Sequence, residues 1–196
     1  MSGACCGAAL GHRGPTAGWE CRQVPRFNHE CEAMRFWLLD TIRSYEPGVR
    51  LTATKNVALT EEYLADHFPE FPVLPGVFML EAATQAGAWL LRLSEDFAHS
   101  IIRLKEVKNI KYADFVPPGR TLSVTVSIVK QDERLTTFKV EGQMGDRATL
   151  SGRLVLERYN LAERDPRKRE IDEQLKQYFR RAMKLLLPAE AASAVG

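Results

Sequence analysis

The stretch from Gly76 to Leu93 constrains the fold of this chain more than any other. Val77, Leu80, Thr84, Ala88 and Leu91 recur at helical spacing, while Ala82, Ala83 and Ala86 keep the opposite face small and apolar. A helix that is apolar nearly all round belongs inside a protein, with other elements covering every side. It closes near Ser94-Glu95-Asp96. The second half of the chain can supply the cover. Leu122, Val124, Val126 and Ile128 repeat every second residue with Ser and Thr between them, the mark of a strand with one buried face. Phe138, Val140, Gly142 and Met144 form the next strand. Ala148, Leu150, Gly152, Leu154 and Leu156 form another, with turns at Asp132-Glu133 and Gly145-Asp146. Ile102–Tyr112 and Leu51–Ala58 also read as strands. One buried helix and an antiparallel meander predict an α+β fold with the sheet wrapped around the helix.

The flanks divide the chain further. Residues 1–33 read as a loosely ordered leader, 34–160 as the folded domain, and 161–196 as a helical tail. At 196 residues the chain is one domain with extensions. Arg35 to Asp40 forms an apolar knot, and Glu46-Pro47-Gly48 signals a turn. Pro69, Pro72 and Pro75, three apart, predict that 59–75 is an extended polyproline-type segment and not a helix. In the tail, Asp165-Pro166 is an N-cap with proline at the first helical position. Ile171, Leu175, Tyr178, Phe179, Ala182 and Leu186 then make an apolar stripe, expected to pack on protein in preference to a membrane.

Charge and cysteines exclude several classes. There are 27 basic and 25 acidic residues, a net charge of +2, so no polyanion-seeking surface dominates and no nucleic-acid partner is expected. No apolar run reaches the roughly 18 residues of a membrane span. The Gly- and Ala-rich N-terminus lacks the pattern of a secretory signal. Cys5, Cys6, Cys21 and Cys31 fit no common zinc spacing and read as ordinary thiols of a cytoplasmic protein. No metal or cofactor is expected.

Chemistry concentrates between His67 and Gln85. A single imidazole sits on a proline-fixed stretch, where it can act as a base toward a C–H bond. Gly76 and Val77 open the buried helix, whose first N–H groups can stabilise a developing oxyanion. Glu81 lies on that helix and can give a proton to a leaving hydroxyl. Taken singly, each residue also has a structural explanation. Together within one short stretch they point to a site.

The run His67-Phe68-Pro69, Pro72-Val73-Leu74-Pro75-Gly76-Val77, Glu81-Ala82 and Gln85 resembles the signature of the 3-hydroxyacyl-[acyl carrier protein] dehydratases of fatty-acid synthesis, the FabZ type. Trp37-Leu38-Leu39-Asp40, Lys55-Asn56-Val57 and Phe115-Val116-Pro117-Pro118-Gly119 extend the resemblance over about residues 35–158. It implies a hotdog fold, a homodimer or trimer of dimers, and a substrate carried on the phosphopantetheine of an acyl carrier protein. It also implies His67 and Glu81 as the catalytic pair, supplied by opposite subunits. Gly76 then polarises the thioester carbonyl, with Gln85 supporting the site. Two other functions compete: a hotdog acyl-thioesterase and a non-catalytic acyl-carrier-binding subunit. The retained His67 argues against the thioesterase, which would use Glu81 and has no need of an α-proton base, and retention of both residues argues against the non-catalytic subunit. Arg92, Arg103, Lys105, Lys108 and Lys111 are candidates to dock an acidic carrier.

Overall fold

The structure, a computed structural model, describes residues 36–187. The expected leader, the four cysteines and the last residues of the tail lie outside that range. Six strands form one antiparallel sheet: β1 (Thr41–Glu46), β2 (Arg50–Asn56), β3 (Ile101–Tyr112), β4 (Thr121–Gln131), β5 (Leu135–Met144) and β6 (Arg147–Tyr159). Their order is β1-β2-β4-β5-β6-β3, so β1 and β3 are the edges. Helix α1 (Tyr63–Asp66) is short, α2 (Gly76–Ser94) is the long buried helix, and α3 (Arg169–Leu186) closes the described chain. This is the α+β, helix-in-sheet arrangement that the sequence predicts.

Burial explains the wrapping. From Ala82 to Arg92 every residue of α2 is buried. The inward residues of β4 and β5, including Leu122, Val124, Phe138 and Val140, are fully buried in the same core. Removing that apolar area from water supplies the main drive to fold. Gly87 lets the sheet approach closely, because a Cβ there stands 3.0 Å from the Leu156 side chain. β3 pairs with β6 through two bulges, which add the local twist that curls the edge over the helix.

Two local expectations are corrected. β1 appears where only an apolar knot and a turn are predicted; it buries just Ile42 and so shows no alternation. The 59–75 segment is not a continuous polyproline stretch. It holds α1, then a turn in which the Phe71 N–H donates to the Phe68 carbonyl at 2.8 Å. Pro69 occupies the second position of that turn, which its fixed φ suits, so prolines three apart served a turn as well as an extended chain.

The tail helix packs on its own domain. Phe179 stands edge-on to Trp89 of α2 at 5.9 Å, and Tyr178 meets Trp37 at 6.3 Å. The Arg92 guanidinium lies 3.7 Å over the Phe179 ring. Asp165 caps a 3-10 turn, Pro166–Lys168, ahead of α3, so the α-helix begins later than the cap and proline suggest. No described helix is long and apolar enough to cross a membrane.

Asp172 ties α3 to the segments just before β3 and just after β6. Its buried carboxylate accepts from the Ser100 hydroxyl and from the N–H groups of Leu161 and Ala162, both at 2.8 Å. Burial alone raises this carboxyl, but those donors outweigh it and hold it below its ordinary value. A depressed carboxyl stabilises the fold above its unfolded pKa of about 4 and loses that contribution as pH falls through the folded value. Asp172→Asn is expected to cost about 1–3 kcal/mol in urea unfolding at pH 7. The gap from wild type should narrow at pH 3; an equal gap at both pH values would contradict the assignment.

Candidate active site

Three elements place His67. Lys55 on β2 is buried and donates to Glu61 at 2.6 Å, while the Ala58 N–H donates to the same oxygen at 3.2 Å. That clamp fixes the approach to α1. His67 is the residue that ends α1, in extended conformation (φ −116°, ψ 100°). Beyond it, the turn at Phe68 and a bond from the Leu74 N–H to the Val116 carbonyl (2.9 Å) return the chain to the sheet. α2 therefore starts beside the imidazole.

His67 and Gly76 line one cavity of about 360 Å³, walled by Phe68, Met79, Tyr112 and Phe115. Pro75 precedes α2 with ψ 138°, and its carbonyl accepts from the N–H groups of Phe78 and Met79. The N–H groups of Gly76 and Val77 come before these bonds, and neither has an acceptor among the described residues. A Cβ on Gly76 would sit 3.1 Å from the Tyr112 ring, so glycine lets that ring close over the helix end. Val77 is 64% exposed, its side chain outside the cavity wall. Burial pushes the Tyr112 phenol up, so it stays neutral at ordinary pH.

Glu81 and Gln85 form a second cluster. Five residues on from Gly76, Glu81 lies about 140° round α2 and about 7.5 Å along it. It does not line the His67 cavity. Gln85, 4% exposed, donates to Glu81 Oε1 at 2.9 Å and to the Phe36 carbonyl at 3.0 Å, and accepts from the Leu38 N–H at 3.1 Å. The two backbone partners fix which end of the amide is which. Gln85 thus presents a donor to one Glu81 oxygen and leaves Oε2 with no hydrogen bond among the described residues. Within one chain the structure brings His67 to Gly76 and Glu81 to Gln85, but not the two clusters to one cavity.

Sequence reasoning missed Tyr112 and Phe68 as cavity walls. Phe68 adjoins His67 and Tyr112 adjoins Lys111 in the sequence, and an aromatic beside a candidate residue is the signal available for them. It also placed Arg92 on a docking surface, which the structure corrects. Arg92 is 6% exposed and stacked on Phe179, and burial pulls its guanidinium below the ordinary value.

Comparison with known proteins shows the family of the chain. A sequence model of the ApeI-like dehydratases matches residues 44–153. The chain belongs to that dehydratase family. It is similar to the 3-hydroxyacyl-[acyl-carrier-protein] dehydratase FabZ of Levilactobacillus brevis, at 36% identity over 116 residues, or 59% of this chain and 78% of the relative. The FabZ of Lactiplantibacillus plantarum is also 36% identical, over 56% of this chain and 75% of its own length. Among solved structures, the dehydratase heterocomplex ApeI:P from Xenorhabdus doucetiae aligns with a TM-score of 0.55 and 20% identity, covering 65% of this chain and 86% of that one. At that identity the likeness speaks for the hotdog fold alone.

Proposed function

We propose that this chain is a hydro-lyase that converts a 3-hydroxyacyl thioester, held on the phosphopantetheine of an acyl carrier protein, to the trans-2-enoyl thioester in fatty-acid or related lipid synthesis. The observation that carries the reading is the cavity that His67 shares with Gly76, the first residue of α2, whose N–H has no acceptor among the described residues. In this mechanism the His67 imidazole takes the α-proton. The Gly76 N–H, with that of Val77 beside it, stabilises the enolate oxygen. Glu81, oriented by Gln85, delivers a proton to the β-hydroxyl, which leaves as water while the double bond forms. His67 ends protonated and Glu81 ionised, and proton exchange with solvent resets both. A cytoplasmic location belongs to the same reading.

The site is completed by a second subunit in this account, whether the assembly is a dimer or a trimer of dimers. Two features support that. Glu81 lies outside the His67 cavity of its own chain, and edge strand β3, paired on one side only, with β6, leaves Leu104 and Val107 exposed. Carrier docking by the β3 cations is narrowed. Arg103 and Lys105 engage Glu157, and Lys108 engages Glu106, leaving Lys111 as the cation of that strand with no described ion pair. The test incubates the protein with a 3-hydroxyacyl carrier and follows enoyl absorbance and free thiol together. Enoyl formation without thiol release is the expected result. Thiol release alone would favour the thioesterase reading, and neither product would favour a binding subunit.

A further inference from the structure

The His67 imidazole has no hydrogen bond or ion pair among the described residues, although a general base must be held in one geometry. Its one described ring contact is with its neighbour. The Phe68 ring lies 4.5 Å from it, centroid to centroid, with the planes at 54°. Adjacent residues in an extended chain point to opposite faces. These two rings meet because Phe68 has φ +52°, in the left-handed region that bulky residues rarely enter. Burial within its own chain does not explain that conformation, since Phe68 is 58% exposed there. The chain thus accepts both backbone strain and an exposed aromatic at this position.

We propose that Phe68 is a positioning residue: its ring, turned back by the left-handed backbone, fixes the rotamer of His67 for proton abstraction. The turn bond from the Phe71 N–H and the ring of Pro69 hold the backbone in that state. This inference rests on the reading of His67 as the base.

Three variants separate ring from backbone. Phe68→Tyr keeps the ring. Phe68→Asn loses it but suits the left-handed conformation, and Phe68→Gly loses it and relaxes the strain. Phe68→Tyr should keep kcat within about threefold of wild type, whereas Phe68→Asn and Phe68→Gly should lose about tenfold or more, mainly in kcat and less in KM. Their melting temperatures should equal or exceed that of wild type. The ring-current displacement of the His67 imidazole protons in NMR spectra should vanish in both. His67→Ala is measured alongside. If it is inactive while a folded Phe68→Asn or Phe68→Gly protein keeps wild-type kcat, the positioning role is wrong and the base assignment stands. If His67→Ala is itself active, the base assignment has failed.

Discussion

His67→Ala is expected to lower kcat by about 100-fold or more while leaving the melting temperature close to that of wild type. An α-proton of a thioester needs a positioned base, and two side chains able to take a proton line the cavity with Gly76, those of His67 and Asp114. Asp114 is engaged by Arg147 at 3.1 Å and by the Phe115 N–H at 2.8 Å, which leaves the imidazole for the task. Its side chain is only half-buried and forms no described hydrogen bond, so truncation removes little packing. Glu81→Gln should be as inactive, since it keeps the shape and loses the transferable proton. Its amide can still meet Gln85, so folding should survive. Near-normal turnover by either folded variant would remove that residue from the mechanism.

The second large effect concerns the start of α2. Gly76→Pro deletes one N–H without breaking the helix, because proline is tolerated at the first helical position. Pro75 already has ψ 138°, which a following proline accepts. The added ring also crowds Tyr112, so Gly76→Ala is the control. Its Cβ meets the same ring at 3.1 Å, but its N–H remains. If that N–H stabilises the enolate, Gly76→Pro should fall about 100-fold or more below Gly76→Ala in kcat. Equal turnover in the two variants would show that the Gly76 N–H does no such work.

Much of this architecture was legible because burial leaves a periodic trace. α2 is apolar all round, and β4 to β6 alternate, so both could be read from spacing alone. β1 could not, since an edge strand burying only Ile42 leaves no period to find. α1 has four residues, too few for a helical repeat. The prolines of 69–75 marked rigidity but not direction, because their fixed φ serves a turn and an extended segment alike. At the site, residue types and order pointed to His67, Gly76 and Glu81. The bonds from Gln85 to the backbone at Phe36 and Leu38 join residues almost fifty apart in sequence and left no local mark. Arg92 read as a surface cation because its stacking partner, Phe179, comes from a helix far along the chain. The positive φ of Phe68 was illegible for the opposite reason, as local preference argues against it.

In the proposed site, one chain's His67 works with another chain's Glu81. Subunit mixing tests it most directly. His67→Ala and Glu81→Gln proteins, each inactive, are dissociated, combined in equal amounts and reassembled, with exchange verified by mass. A mixed dimer has one site that draws the intact His67 from one chain and the intact Glu81 from the other. Half the dimers are mixed and each holds one working site of two, so about a quarter of wild-type turnover should return. Verified exchange with no recovery would place both residues in a site within a single chain and contradict the account.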